Sequence, residues 1–385
     1  MAGQASERRA LIVAGEASGD HHGASLVSEA AKIDPDLTFF GVGGPLMVKA
    51  GCDVLISYEE LMASGFVEVV RHFPSILKVF RRLKRMLTGG ERPDVLVLID
   101  YPDFNLRLAE HAKRAGIPVL FFVSPQVWAW RKSRVRRIAG AVDRLAVIFP
   151  FEPELYRGLD IRVDYVGNPL MDEAFIGIER ELFRRQLGMD AADTVVGLFP
   201  GSRPHEIRYN LDTILRAAAI VARRIPSAQF LLPLAPFLPE ENVRTSVESS
   251  ALPVTITSER IYDVANACDA VITAAGTATL QTALMGTPMV ILYRMSPISH
   301  AIARRLVRLE YIGLANIVAG RGVVREFLQE QADPDNIAEE VLRILLDEDY
   351  RQGIKEGLAD IRAKMGEPGC SARVAHIASE MSKGR

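Results

Sequence analysis

The sequence predicts an α/β protein of two tandem Rossmann-like domains facing across a cleft. Three observations carry that expectation. Short apolar, β-branched runs alternate with helical stretches, the alternation stops and restarts once, and Gly- or Pro-containing turns stand at the ends of the runs. Unbroken apolar runs are the mark of parallel strands covered by helices on both faces.

In the first half the runs are 10–14, 39–42, 95–99, 119–123, 145–148 and 163–166. Stretches between them, such as 23–32 and 106–114, carry apolar residues at helical spacing and end near Gly or Pro. A polar, helix-forming segment near 171–188 precedes a second set of runs at 195–199, 229–232, 254–257, 270–273 and 289–292. From Asp333 onward the pattern is helical. The expected boundaries are therefore 1–170 for the first domain and 171–345 for the second. Helices over 346–385 are expected to pack back on the first.

The chain has 385 residues, 49% of them hydrophobic, with 46 basic and 48 acidic side chains for a net charge of −2. That composition excludes a disordered, collagenous or disulfide-scaffold protein, and it gives no electrostatic case for nucleic-acid binding. Cys52, Cys268 and Cys370 are odd in number and form no CxxC pair, which points to buried thiols in a reducing compartment. The apolar run at 10–14 is too short for a signal-peptide core, and no run of about 18 apolar residues exists to span a bilayer.

Candidate functional groups stand at the carboxyl ends of the expected strands, where α/β folds place their ligands. After the first comes Gly15-Glu16-Ala17-Ser18-Gly19-Asp20, a glycine-rich turn whose amides can face a ligand, though it is not GxGxxG. His21 and His22 follow, but adjacent spacing without a partnered Cys or carboxylate cluster does not make a metal site, and no metal is expected. The run at 95–99 delivers Asp100 and Asp103. One of these acids is explained by helix capping; the other is a candidate general base.

Both tryptophans, Trp128 and Trp130, sit in Ser124-Pro125-Gln126-Val127-Trp128-Ala129-Trp130-Arg131, where they suit a sugar face, an apolar chain or a core plug. Arg131 and the basic residues after it suit phosphate or a solvated helix face. Residues 65–87 form a basic amphipathic pattern. Ile76, Leu77, Val79, Phe80, Leu83, Met86 and Leu87 lie on one side, and Lys78, Arg81, Arg82 and Arg85 on the other. Such a helix fits either an anionic lipid interface or a domain core.

In the second half, Pro200-Gly201-Ser202-Arg203-Pro204 follows a strand, with Ser202 as candidate N-cap and Arg203 at the helix start. A second junction, Gly276-Thr277-Ala278-Thr279, offers glycine, hydroxyls and amides for a diphosphate. Walker A, HExxH, GxSxG and zinc-finger patterns are absent from the sequence.

The motifs GEASGD (15–20), GFVEV (65–69), DYPDFN (100–105), SPQVWAWR (124–131), PGSR (200–203), GTATL (276–280) and YRMSP (293–297) together closely resemble the lipid-A-disaccharide synthase family, in order from about residue 10 to 330. The resemblance implies an inverting GT-B glycosyltransferase. It would join UDP-2,3-diacylglucosamine to 2,3-diacylglucosamine 1-phosphate, make the β(1→6) disaccharide of lipid A and release UDP, with no cofactor. The first domain would then take the acceptor and associate with the membrane, and the second would take the UDP-sugar.

Asp100 matches the family's aspartate base, Arg203 the arginine of the PGSR turn, and Asn316 an asparagine near the nucleotide. Gly15, Glu16, Ser18, Gly19, Asp20, Asp103, Trp128 and Arg131 are the further substrate-binding candidates. Ser202, Gly276, Thr277, Ala278, Thr279 and Gln281 complete the nucleotide set. Gln281 stands where many relatives carry a glutamate, and Ser64 replaces a common methionine.

Acylated substrates imply a cytoplasmic protein peripheral on the inner membrane, with the basic surface at 65–87 and Arg304, Arg305 and Arg308 meeting phosphates or headgroups. The alternatives are another UDP-sugar enzyme, an epimerase or a lipid N-acetylglucosaminyltransferase, or a non-catalytic nucleotide-sugar-binding subunit. Retention of Asp100 with Arg203 argues against the last.

Overall fold

The computed structural model describes residues 7–61, 66–90, 92–128, 134–235, 240–296 and 309–384, which form two compact units. The first comprises Met1–Asp172 and Glu367–Arg385. Its elements are β1 (Arg8–Ala14), α1 (Ala17–Ile33), β2 (Leu37–Gly43), α2 (Pro45–Lys49), β3 (Asp53–Ser57), α3 (Phe66–Thr88), β4 (Val95–Ile99), α4 (Pro102–Arg114), β5 (Val119–Phe122), α5 (Arg134–Ala141), β6 (Arg144–Val147) and β7 (Arg162–Tyr165), with α6 (Pro169–Glu173) at the boundary. All seven strands are parallel, in the order β3-β2-β1-β4-β5-β6-β7. The chain winds outward from β1 through β2 and β3, then restarts at β4 on the other side of β1. Between β1 and β4 lies the switch point, where such sheets open a ligand crevice.

Side chains alternate between two core layers with the strand period of two. Leu11, Val13, Leu96 and Leu98 face one, and Ile12, Ala14, Val97 and Ile99 the other. β3 breaks the apolar-run rule because it is an edge strand: only Ile56 of its five residues is buried.

The described part of the α3 apolar stripe faces the core of its own unit. Val79, Leu83 and Leu87 are buried in the first core layer, with Ile76, Phe80 and Met86 packed against it. Of the two alternatives for that stripe, the domain core takes Val79, Leu83 and Leu87, while Lys78, Arg81, Arg82 and Arg85 on the other face are exposed.

The second unit, Glu173–Gly366, contains α7 (Arg180–Gln186), β8 (Thr194–Phe199), α8 (Pro204–Arg224), β9 (Ala228–Pro233), α9 (Glu240–Ser250), β10 (Val254–Thr257), α10 (Ile261–Ala267), β11 (Ala270–Ala274), α11 (Thr277–Leu284), β12 (Met289–Tyr293), α12 (Leu314–Ala319), β13 (Glu326–Leu328), α13 (Pro334–Leu346) and α14 (Glu348–Met365). Its parallel sheet runs β10-β9-β8-β11-β12-β13, with the switch point between β8 and β11. The edge strand β13 is only three residues long and lies outside every expected apolar run.

The segment 346–385 divides. α14 packs on α11 and α12 within the second unit, whereas the last helix, α15 (Cys370–Lys383), packs on α1 of the first. Polar contacts fasten α15: Asp34 accepts from Arg8 at 2.6 Å and from Ser379 at 2.5 Å, and Arg144 donates to Glu380 at 2.6 Å. The Arg373 guanidinium donates to the Val166 carbonyl at 2.8 Å. Arg8, Ser379 and Lys383 together hold the Asp34 carboxyl well below the usual carboxylate range.

Candidate functional site

In the first unit the ends of β1 and β4 bring Glu16 and Asp100 together at the switch point. Asp100 is half-buried, and burial pushes its pKa up to about 6, helped by the charge of Glu16 and a hydrogen bond to it. Its backbone is unusual: Asp100 has φ 46° and Tyr101 φ 48°, two consecutive non-glycine residues in the left-handed region. The Tyr101 ring lies over Gly15, where a Cβ would come within 2.5 Å of it, and the Tyr101 hydroxyl donates to the Leu61 carbonyl at 2.9 Å. Gly15 is thus required by close approach of the ring.

Asp103 has a different environment. It is exposed, sits in the first turn of α4 and pairs with Arg134. Of the two acids, Asp100 is the one set beside Glu16 at the switch point.

The other residues of the first loop separate by burial. Ser18 is exposed and donates to Glu16 at 2.9 Å, while Gly19 lets α1 close on Ala14. Asp20, expected among the substrate-binding residues, has a structural role here. It is 2% exposed and accepts from the amides of Gly44 (2.7 Å), Leu46 (3.1 Å) and Met47 (3.1 Å), capping α2. His22 sets its ring edge-on to Phe122 at 6.0 Å.

Beyond β5, Trp128 stands edge-on to Phe149 (6.1 Å) and Phe151 (5.6 Å), which stack on each other. Beside it is Glu152, a group that no sequence pattern marks. It is 1% exposed, accepts from the amides of Ile148 and Phe149, and is pushed up to about 7 by burial. Arg131 and Trp130 lie outside the described residues, as do Ser64, Pro297, Arg304, Arg305 and Arg308.

In the second unit, α8 and α11 both begin at carboxyl ends beside the switch point. Their starts differ. Glu206 folds back over the start of α8, accepting from the amides of Ser202 (2.8 Å) and Arg203 (3.1 Å). The N-cap is Arg203, not Ser202 as expected, and its exposed guanidinium pairs with Glu206 at 3.2 Å.

Among the described residues no side chain caps α11, and a Cβ on its N-cap Gly276 (φ 156°) would meet none of them within 4 Å. An uncapped helix start of this kind, with the Thr277 and Ala278 amides in its first turn, suits an anion. The Thr279 hydroxyl is turned inward, donating to the Gly276 carbonyl at 2.8 Å. Gln281 hydrogen-bonds the Tyr262 hydroxyl.

Asn316, expected near the nucleotide, is held within its own unit. It is fully buried, its amide donates to Val324 O and Glu326 Oε1 (both 2.8 Å), and its carbonyl accepts from the amides of Val323 (2.8 Å) and Val324 (3.1 Å). Every hydrogen-bonding position of that side chain is taken.

A family model described as lipid-A-disaccharide synthetase matches residues 10–379. The lipid-A-disaccharide synthase of Syntrophotalea carbinolica is 58% identical over 376 residues, covering 98% of this chain and 96% of the relative. The chain belongs to the lipid-A-disaccharide synthase family. Another member, from Geobacter metallireducens, is 47% identical and covers 98% of each chain.

Solved structures with low identity share the fold. The UDP-GlcNAc 2-epimerase from Neisseria meningitidis bound to UDP-GlcNAc has a TM-score of 0.61 at 13% identity, covering 97% of this chain and 99% of that one. The calicheamicin glycosyltransferase CalG4 gives 0.60 at 16% identity, covering 97% and 98%. The two-sheet architecture is thus GT-B, and the family is one of glycosyltransferases.

Proposed function

We propose that this chain condenses UDP-2,3-diacylglucosamine with 2,3-diacylglucosamine 1-phosphate, forming the β(1→6) lipid A disaccharide 1-phosphate and UDP. Family membership over nearly the whole chain supports the reaction. The observation that carries the mechanism is the half-buried Asp100 carboxyl beside Glu16 at the end of β4, with a pKa raised to about 6. A carboxylate of that basicity is ionised at neutral pH and takes a proton more readily than an ordinary aspartate.

Asp100 accepts the proton of the acceptor 6-hydroxyl as its oxygen bonds to C1 of the donor from the face opposite the leaving group. The C1–O bond to the diphosphate breaks, and UDP leaves with that electron pair. Arg203 and the uncapped start of α11 stabilise the negative charge that develops on the diphosphate. The first unit accordingly takes the acceptor, with Gly15, Glu16, Ser18 and Trp128 near it, and the second takes the nucleotide.

The test is product analysis by mass spectrometry with donor alone and with donor plus acceptor. Disaccharide 1-phosphate and UDP should form only with both. Asp100→Ala should abolish turnover while UDP still binds, and Arg203→Ala should weaken both. Near-normal turnover by Asp100→Ala removes Asp100 as the base.

For membrane association we propose an electrostatic mode at the cytoplasmic leaflet, since Lys78, Arg81, Arg82 and Arg85 of α3 are exposed while Val79, Leu83 and Leu87 are buried in the core of the unit. The protein should sediment with vesicles containing anionic phospholipid at low salt, and release as salt rises. Equal binding to neutral vesicles would reject that mode.

A further inference from the structure

One side chain of the DYPDFN segment has no part in the mechanism above, and its geometry ties it to Asp100. Asn105, in α4, is fully buried among apolar neighbours on the same helix, Phe104, Leu106, Leu108 and Ala109. Its Nδ2 donates to two successive carbonyls, Ile99 at 3.2 Å and Asp100 at 2.7 Å. Its backbone N–H donates to the next, Tyr101, at 3.1 Å. One residue therefore gathers three consecutive carbonyls, those at the end of β4 and through the left-handed pair. The Asn105 Oδ1 has no hydrogen-bond partner among the described residues, so no competing acceptor contact orients the amide.

A leucine has the same branched shape without burying an unpaired carbonyl oxygen. The contacts of the Asn105 side chain are made by its donor half alone, and they hold the turn that presents the candidate base. We propose that Asn105 is the positioning residue of Asp100: its bonds to the Ile99 and Asp100 carbonyls lock the left-handed turn that sets the Asp100 carboxyl against Glu16.

Released from that lock, the Asp100–Tyr101 pair relaxes toward negative φ, which every non-glycine residue prefers. The carboxyl then swings from Glu16 and loses both its aim and the charge that raises its proton affinity. Groups that face Asp100 are Glu16 from the end of β1 and the Tyr101 amide within the turn. Asp103, on the next turn, faces Arg134 instead.

The proposal rests on Asp100 acting as the base, and the experiment separates the two. Asn105→Leu, Asn105→Ala and Asn105→Ser are compared with Asp100→Asn in the full-length enzyme for kcat, KM, UDP affinity, thermal melting and the pH profile of kcat. Loss of aim of about 1 Å costs about 100-fold in rate, so kcat of the Leu and Ala variants should fall by about that factor with UDP affinity unchanged. Asn105→Ser, which keeps one short donor, should fall between them and the wild type. The acid limb of kcat should move to lower pH in the Leu and Ala variants, a shift that a merely destabilised fold does not give.

Folded Leu or Ala variants with wild-type kcat and an unmoved acid limb overturn the proposal. So does a rate order unrelated to donor capacity, and the Ala and Ser variants provide that comparison if Leu fails to fold. An active Asp100→Asn rejects the base assignment itself, whereas an inactive Asp100→Asn beside active Asn105 variants rejects only the positioning role.

Discussion

Asp100 is held in a conformation that the unfolded chain would not choose, and its proton affinity is raised there. Its folded pKa of about 6 lies above the ordinary 3.8, so between those values the native state binds more protons than the unfolded state. Stability then falls as pH rises through that window, and the deficit persists at higher pH. Asn at this position carries no charge to bury and tolerates positive φ better than most residues. Asp100→Asn should therefore melt at or above the wild type at pH 7.5, with the difference gone near pH 3.5, while losing turnover. A lower melting temperature at pH 7.5 would mean that the buried charge is not a cost to the fold. Asp100 was legible from its place after an apolar run. Asp20 and Asn316 were legible as polar residues in the right loops, but pattern does not say whether a side chain faces a ligand or its own backbone amides. Glu152 carries no mark at all, since it stands among aromatic residues that read as the end of a strand.

Helix starts are the elements on which nucleotide binding depends, and two that look alike in sequence differ in their capping. Both junctions combine glycine and hydroxyl residues, yet among the described residues the start of α8 is capped by Glu206 and that of α11 by no side chain. The second is the better candidate for a diphosphate. Thr277, exposed at the first position of α11, provides the test. An aspartate there favours the helix dipole by about 0.3–1 kcal/mol while placing a negative charge where the diphosphate would sit. Thr277→Asp should melt no lower than the wild type yet bind UDP at least about tenfold more weakly by calorimetry, since about 1.4 kcal/mol of repulsion suffices. Unchanged affinity would move the diphosphate elsewhere. The strands with continuous apolar sequence were legible as elements. The edge strands β3 and β13, and the destination of the α3 stripe, were not, because the first are half-exposed and an amphipathic pattern fits a protein core as well as a lipid surface.

At the scale of the whole chain, the second unit is a continuous insertion in the first, which is completed only by α15. Composition and periodicity announce two sheets and a C-terminal return to the first, but not that the return begins only at Glu367, because the last helices read alike and the choice between sheets depends on tertiary packing. The α15 residues Cys370, Val374, Ala375, Ile377 and Ala378 join Ala10, Ile12, Ala14 and Val97 in one buried cluster. Burial of Val374 and Ile377 alone contributes about 3–6 kcal/mol. That is comparable with the entire stability of a typical domain, about 5–15 kcal/mol. Removal of residues 367–385 also strips Arg144 of Glu380, and Asp34 of Ser379 and Lys383. The truncated chain should therefore lose the melting transition of its first unit and all turnover, while residues 173–366, whose core contains no part of α15, keep a cooperative melt and UDP affinity. Scanning calorimetry with and without UDP reads both outcomes. A UDP-responsive transition that survives truncation places the nucleotide site in the second unit, and its disappearance would mean that the inserted unit does not fold without the first.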